Sequence, residues 1–169
     1  LRPHSLVVEH RMSDKPKHEE IALWQRRLGS QANNRAWQLS ELPSRSPDQD
    51  EEMLQAAHAA MYCWKIVGNE SNKAHAAQLL AHVYATLKLP NQASHYLAKS
   101  EPTLLAEAAE PWERALAHAV ASNVAAARGD RDQQQAHYRK AVEQAAALPD
   151  PEDRAILEAT LRVLPVPEP

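Results

Sequence analysis

The placement of proline constrains this chain more than any other feature. Twelve prolines occur in 169 residues, and nearly all fall between segments whose apolar residues recur at helical spacing. Proline there starts or stops helices rather than breaking them. Glycine is scarce, with three in the whole chain, and Phe is absent. Tight β-hairpins need glycine and strands favour β-branched and aromatic residues, whereas this chain is rich in Ala, Leu, Glu, Gln and Arg, which favour helix. The expected fold class is all-α.

Seven helices follow from the start and stop signals. The first is expected from about 17 to 42, with Ile21, Trp24 and Leu28 on one stripe and a kink or division at Gly29. Ser46-Pro47-Asp48-Gln49 opens the second as a capping box with Pro in the first turn, and Gly68 closes it. The third begins near 69–71 and ends near Lys88, carrying Ala77, Leu80, Ala81, Tyr84 and Leu87. Pro90 opens the fourth, which Pro102 is expected to interrupt, leaving residues 103–109 for a further turn or two. Pro111 opens the fifth, up to Gly129, and Asp130 caps the sixth, with Tyr138, Ala141, Val142, Ala145 and Leu148 at helical spacing. Asp150-Pro151 opens the seventh, with Ile156, Ala159 and Val163. Short connections force neighbouring helices to pack antiparallel. One Ala-lined hairpin cannot bury its own apolar face, so successive hairpins must stack. The expectation is three stacked hairpins with the seventh helix as a cap.

Residues 74–148 resemble two tetratricopeptide repeats. The first copy reads Ala77-x-x-Leu80-Ala81-x-x-Tyr84, then Ala93, Leu97 and Ser100. The second reads His118-x-x-Ala121-Ser122-x-x-Ala125, then Gly129-Asp130, Tyr138 and Ala141. Gln134 and Ala125 depart from the family's Ala and Tyr, and residues 101–110 lengthen the connection between copies. The resemblance implies a solenoid of stacked hairpins and a protein or peptide partner. In such a stack the first helix of each repeat lines a concave groove. That implies a row of His75, Gln78 and His82 on the third helix beside Leu116, Ala119 and Asn123 on the fifth, each row at helical spacing. Imidazoles there would tighten binding of an acidic ligand below about pH 6.5.

The remaining chemistry is sparse. Two His ligands on one helix must lie three or four residues apart to share an ion, and none of the nine histidines do. His75 and His82 share a face but stand two turns apart, roughly 10 Å. His58 and Tyr62 are correctly spaced, and a pocket built on them is the alternative reading: a metal or small-ligand site, possible for an enzyme. Cys63, the lone cysteine, sits between Tyr62 and Trp64 in an apolar helix and reads as a core residue. With glycine only at 29, 68 and 129, no phosphate loop, dinucleotide fingerprint or nucleophile elbow can form. The paired carboxylates cluster at helix starts, where they complement the helix dipole. Trp64 and Trp112 read as core, while Trp24 and Trp37 sit among polar residues and could anchor a partner.

A formal net charge of −3 and the lack of a dense basic stripe argue against nucleic acid as a partner, and no apolar run is long enough for a membrane span. A non-catalytic, cytoplasmic binding module without cofactor or metal is therefore expected. Its boundaries are a flexible segment 1–16, a helical domain 17–164 and a flexible Pro-rich tail 165–169. Residues 1–11 are expected to lie upstream of the native start at Met12.

Overall fold

The computed structural model describes residues 17–168; the expected flexible segment 1–16 and Pro169 lie outside them. The described residues form seven helices: α1 His18–Ser40, α2 Pro47–Val67, α3 Glu70–Thr86, α4 Pro90–Leu104, α5 Pro111–Arg128, α6 Arg131–Ala147 and α7 Pro151–Val163. The pairs α1/α2, α3/α4 and α5/α6 are antiparallel hairpins, and they stack through α3. That helix touches α1, α2, α4 and α5, which explains why ten of its seventeen residues are buried. The final helix, α7, packs against α5 and α6.

The helix starts follow from local chemistry. Ser46 Oγ accepts from the Gln49 amide, and Gln49 Oε1 accepts in return from the Ser46 amide. Asn69 and Asn72 make the same exchange at α3, and Asp150 accepts from the Glu152 amide at α7. Each cap satisfies backbone donors that a helix leaves without internal partners.

Two helix ends expose the internal repeat. α5 stops at Gly129 in the left-handed conformation, φ 76°, with the Asp130 amide bonded to the Ala125 carbonyl. α3 ends identically: Lys88 takes φ 61°, and the Leu89 amide bonds to the Tyr84 carbonyl. This is the six-to-one closure that glycine normally serves, so α3 holds a lysine where its partner helix has glycine.

The core is made of small residues with Leu and Val between them. Ala36, Leu39, Met53, Ala57, Leu79, Leu80 and Val83 join α1, α2 and α3. Ala81, Ala85, Ala93, Ala115, Val120, Val124, Ala145, Leu148 and Leu157 continue the core through the other helices. Small side chains let the helix axes approach closely, as the near-dense interior of a stack requires.

Several expectations are corrected. α1 runs unbroken through Gly29, whose absent Cβ would stand 3.1 Å from Cys63 Cβ and 3.2 Å from the Trp64 ring. Glycine there serves close packing of α1 on α2 and does not divide the helix. Ile21, Trp24 and Leu28 do not form a buried stripe; all three are exposed. The buried face of α1 is instead Gly29, Ala32, Ala36, Leu39 and Ser40. Pro102 does not interrupt α4, which continues to Leu104 with the proline in its last turns. In the last two helices Val142 and Ile156 are exposed, while Leu157 and Thr160 are buried. Beyond α7, Leu164 is buried and the Pro165 carbonyl accepts from Gln134 Nε2 at 2.9 Å. The start of the tail is thus fastened to α6.

Candidate binding groove

Stacking the hairpins brings one helix from each, plus α7, side by side. Between α1, α3, α5 and α7 lies a groove of about 510 Å³. From α1 and its C-cap come Asn33, Asn34, Trp37, Gln38 and Glu41; from α3, His75 and Gln78; from α5, Trp112 and Leu116; from α7, Ile156 and Thr160. These eleven residues span most of the chain, and only the alternation of helices unites them.

The floor is α3. His75 stacks on Trp112, with ring centres 5.5 Å apart and planes 7° from parallel, and its Nε2 lies 2.7 Å from Glu113 Oε1. Glu113 also accepts from the Glu110 amide through Oε2. The carboxylate that caps α5 therefore fixes the His75 ring as well, a charge-assisted contact when the ring is protonated. Two turns along α3, His82 stacks on Trp37 at 5.0 Å.

His82 is fully buried. Its Nδ1 accepts from Asn123 Nδ2 at 3.2 Å, which leaves its proton on Nε2. Burial, with a smaller contribution from the Arg45 charge, pushes the imidazole down to about 4. Asn123 Nδ2 also reaches the Thr86 hydroxyl. His82 and Asn123 stand 41 residues apart, as Lys88 and Gly129 do. Equivalent positions of successive hairpins thus bond to each other inside the stack.

The structure divides the two rows read from the sequence. His75, Gln78 and Leu116 line the groove. His82, Ala119 and Asn123 do not line it: His82 is buried under Trp37, Ala119 packs against Ala141 and Leu164, and Asn123 lines the neighbouring cleft on the far side of Glu41. Trp112, read as core, packs against the core and also forms one groove wall, and Trp37 is the other. Sequence reasoning missed Asn33, Asn34, Gln38, Glu41, Ile156 and Thr160. The signal available for α1 was the polar run around Trp37, since only a helix facing solvent or a ligand can carry it.

The alternative pair separates. His58 Nε2 lies 2.7 Å from the Tyr84 hydroxyl, and burial lowers the pKa of this imidazole. Tyr62 points elsewhere and is 66% exposed. A different histidine pair does meet: His118 and His137 bring their Nδ1 atoms within 3.0 Å across the α5/α6 hairpin. Burial, the neighbouring ring and Lys140 push His118 down to about 4. Two neutral rings share one N–H there. Among the described residues, no three His, Cys, Asp or Glu side chains are grouped to hold a metal ion, and no described helix is long and apolar enough to cross a membrane.

The groove is almost free of charge. No Lys or Arg lines it, and the acid is Glu41. Burial raises the pKa of Glu41 against the opposing effects of the Thr160 hydrogen bond and the Arg162 charge. An adjoining cleft of about 540 Å³ shares Glu41 and holds the cations Arg45, Lys88 and Arg162. No family model, curated protein or solved structure matches this chain.

Proposed function

We propose that this chain is a tetratricopeptide-like, non-catalytic module that binds a protein or peptide segment in the groove between α1, α3, α5 and α7. The observation that carries the reading is the meeting of Trp37 and Trp112, from helices far apart in sequence, on either side of a floor formed by His75 and Gln78. Indoles flanking a polar floor combine large apolar area with hydrogen-bonding edges, the combination that concentrates binding energy at interfaces. Grooves formed by stacked helices suit extended or helical segments better than small molecules, because they are long and open at the ends. A cytoplasmic setting belongs to the same proposal, supported by the lone, buried thiol Cys63.

Peptides selected from a random display library on the folded protein provide the test. They should lose most of their affinity for Trp37→Ala and for Trp112→Ala, and keep it for Trp24→Ala, whose side chain stands exposed on α1. A library that yields no binder, or binders indifferent to Trp37 and Trp112, would remove the groove as the binding face.

A further inference from the structure

Gln78 is the anomaly of the groove. It sits mid-floor on α3, between the two Trp-stacked histidines, and only 1% of its surface is exposed. Its amide nitrogen Nε2 is buried without a hydrogen-bond partner. A buried, unsatisfied amide donor is a cost that folded proteins rarely carry without reason. One turn along α3 the His82 Nε2 is likewise buried without a partner, and the neighbouring His75 and Thr160 direct their hydrogen bonds to Glu113 and Glu41 rather than to Gln78.

The rest of the lining narrows the kind of ligand that would relieve it. Asn33, Asn34 and Gln38 add three more carboxamides along α1. A carboxamide donates and accepts side by side, as a backbone peptide group does, so the two pair whatever side chains the ligand carries. An acidic side chain finds no cation in the lining, and a basic one finds only Glu41 at the edge of the floor, so a charge at the centre would shed water without compensation. The cations that could serve an acidic residue, Arg45, Lys88 and Arg162, lie beyond Glu41 in the adjoining cleft. Finally, the histidines under the two indoles stand roughly 10 Å apart along α3, about three residues of extended chain at ~3.3 Å each.

We infer that Gln78 is the contact through which the groove reads the backbone of an extended peptide segment with uncharged side chains at its centre. The inference rests on the peptide-binding reading above. Rotation of the terminal amide about its soft last torsion turns the NH2 group toward the groove, where a ligand carbonyl accepts from it. Gln78 is retained for binding and lowers the stability of the empty protein.

That last consequence separates the inference from a structural role. Two pools of random acetylated, amidated nonapeptides serve as probes, one with uncharged residues at the three central positions and the other with Lys, Arg, Asp or Glu there. Affinity selection with mass-spectrometric readout compares the pools on wild type, Gln78→Met and Gln78→Leu, and a thermal melt is recorded for each protein. The expected results are retention of the uncharged pool about tenfold above the charged one on wild type, loss of that retention in both variants, and melting temperatures raised by about 2–4 °C. Equal retention of the two pools leaves peptide binding standing and overturns the selection for uncharged segments. Melting temperatures lowered in both variants with binding unchanged make Gln78 structural and overturn its role. Retention of neither pool by wild type overturns this inference and the peptide-binding reading together.

Discussion

Acidification should destabilise the stack through His82, and the size of the effect follows from its surroundings. The ring is fully buried, lies against Trp37 and accepts from Asn123 Nδ2 at Nδ1. A second proton would have to sit on that same Nδ1, facing a donor, with the Arg45 charge nearby. The folded protein therefore resists protonation down to about 4, whereas the unfolded chain takes up a proton near the ordinary value of about 6.5. Between those limits the unfolded state binds more protons, so stability falls as the pH falls. A depression of that size corresponds to about 3 kcal/mol, all of it retained above about pH 6.5 and lost progressively toward pH 4. His82→Asn supplies the comparison, because its amide oxygen can accept from Asn123 and does not titrate. Urea unfolding of both proteins at a series of values from about pH 7 to about pH 4.5 should show the wild type losing stability faster. His58, His118 and His137, whose pKa values are also lowered, are present in both and cancel in the difference. Parallel curves would refute the reasoning and mean that the folded state accommodates a charged His82.

Two further outcomes concern the architecture. Lys88→Gly should stabilise the protein by about 0.5–1 kcal/mol, since a left-handed conformation strains a residue with a Cβ; a lower denaturation midpoint would show that the lysine side chain contributes more than the strain costs. Deleting residues 150–169 removes the buried Leu157, Thr160 and Leu164 and uncovers α5 and α6, so aggregation or a large drop in melting temperature is expected; an unchanged melt would deny α7 its capping role.

What the sequence revealed and what it hid divide along local and non-local lines. Helix starts were legible because their signals are local: Ser46 with Gln49, Pro111, and Asp150-Pro151 each settle a boundary by their own chemistry. The αL end of α5 was legible for the same reason, whereas Lys88 gave no hint of adopting that conformation. Burial was less legible. The Ile21, Trp24 and Leu28 stripe has the right period, yet the partner that would bury it is not among the helices that pack on α1. In the groove, positions 75, 78 and 116 were readable from helical spacing plus the repeat. His82 and Asn123 share those rows, but Trp37 of α1 covers His82 and Asn123 faces the adjoining cleft, and one-dimensional periodicity does not contain those neighbours. Trp112 does pack against the core as expected, and it lines the groove as well; that second role depends on residues of α1, α3 and α7 that no local pattern brings together.

The central claim is that ligand enters between α1, α3, α5 and α7. The four tryptophans provide a direct measurement of it, because each indole N–H gives its own NMR resonance. Trp37 and Trp112 line the groove, while Trp24 is exposed on α1 and Trp64 sits on α2 against Gly29. Titration with a library-selected peptide should shift the Trp37 and Trp112 signals, assigned by substitution, and leave those of Trp24 and Trp64 in place. Shifts confined to Trp24 or Trp64, with Trp37 and Trp112 unmoved at saturation, would contradict the account.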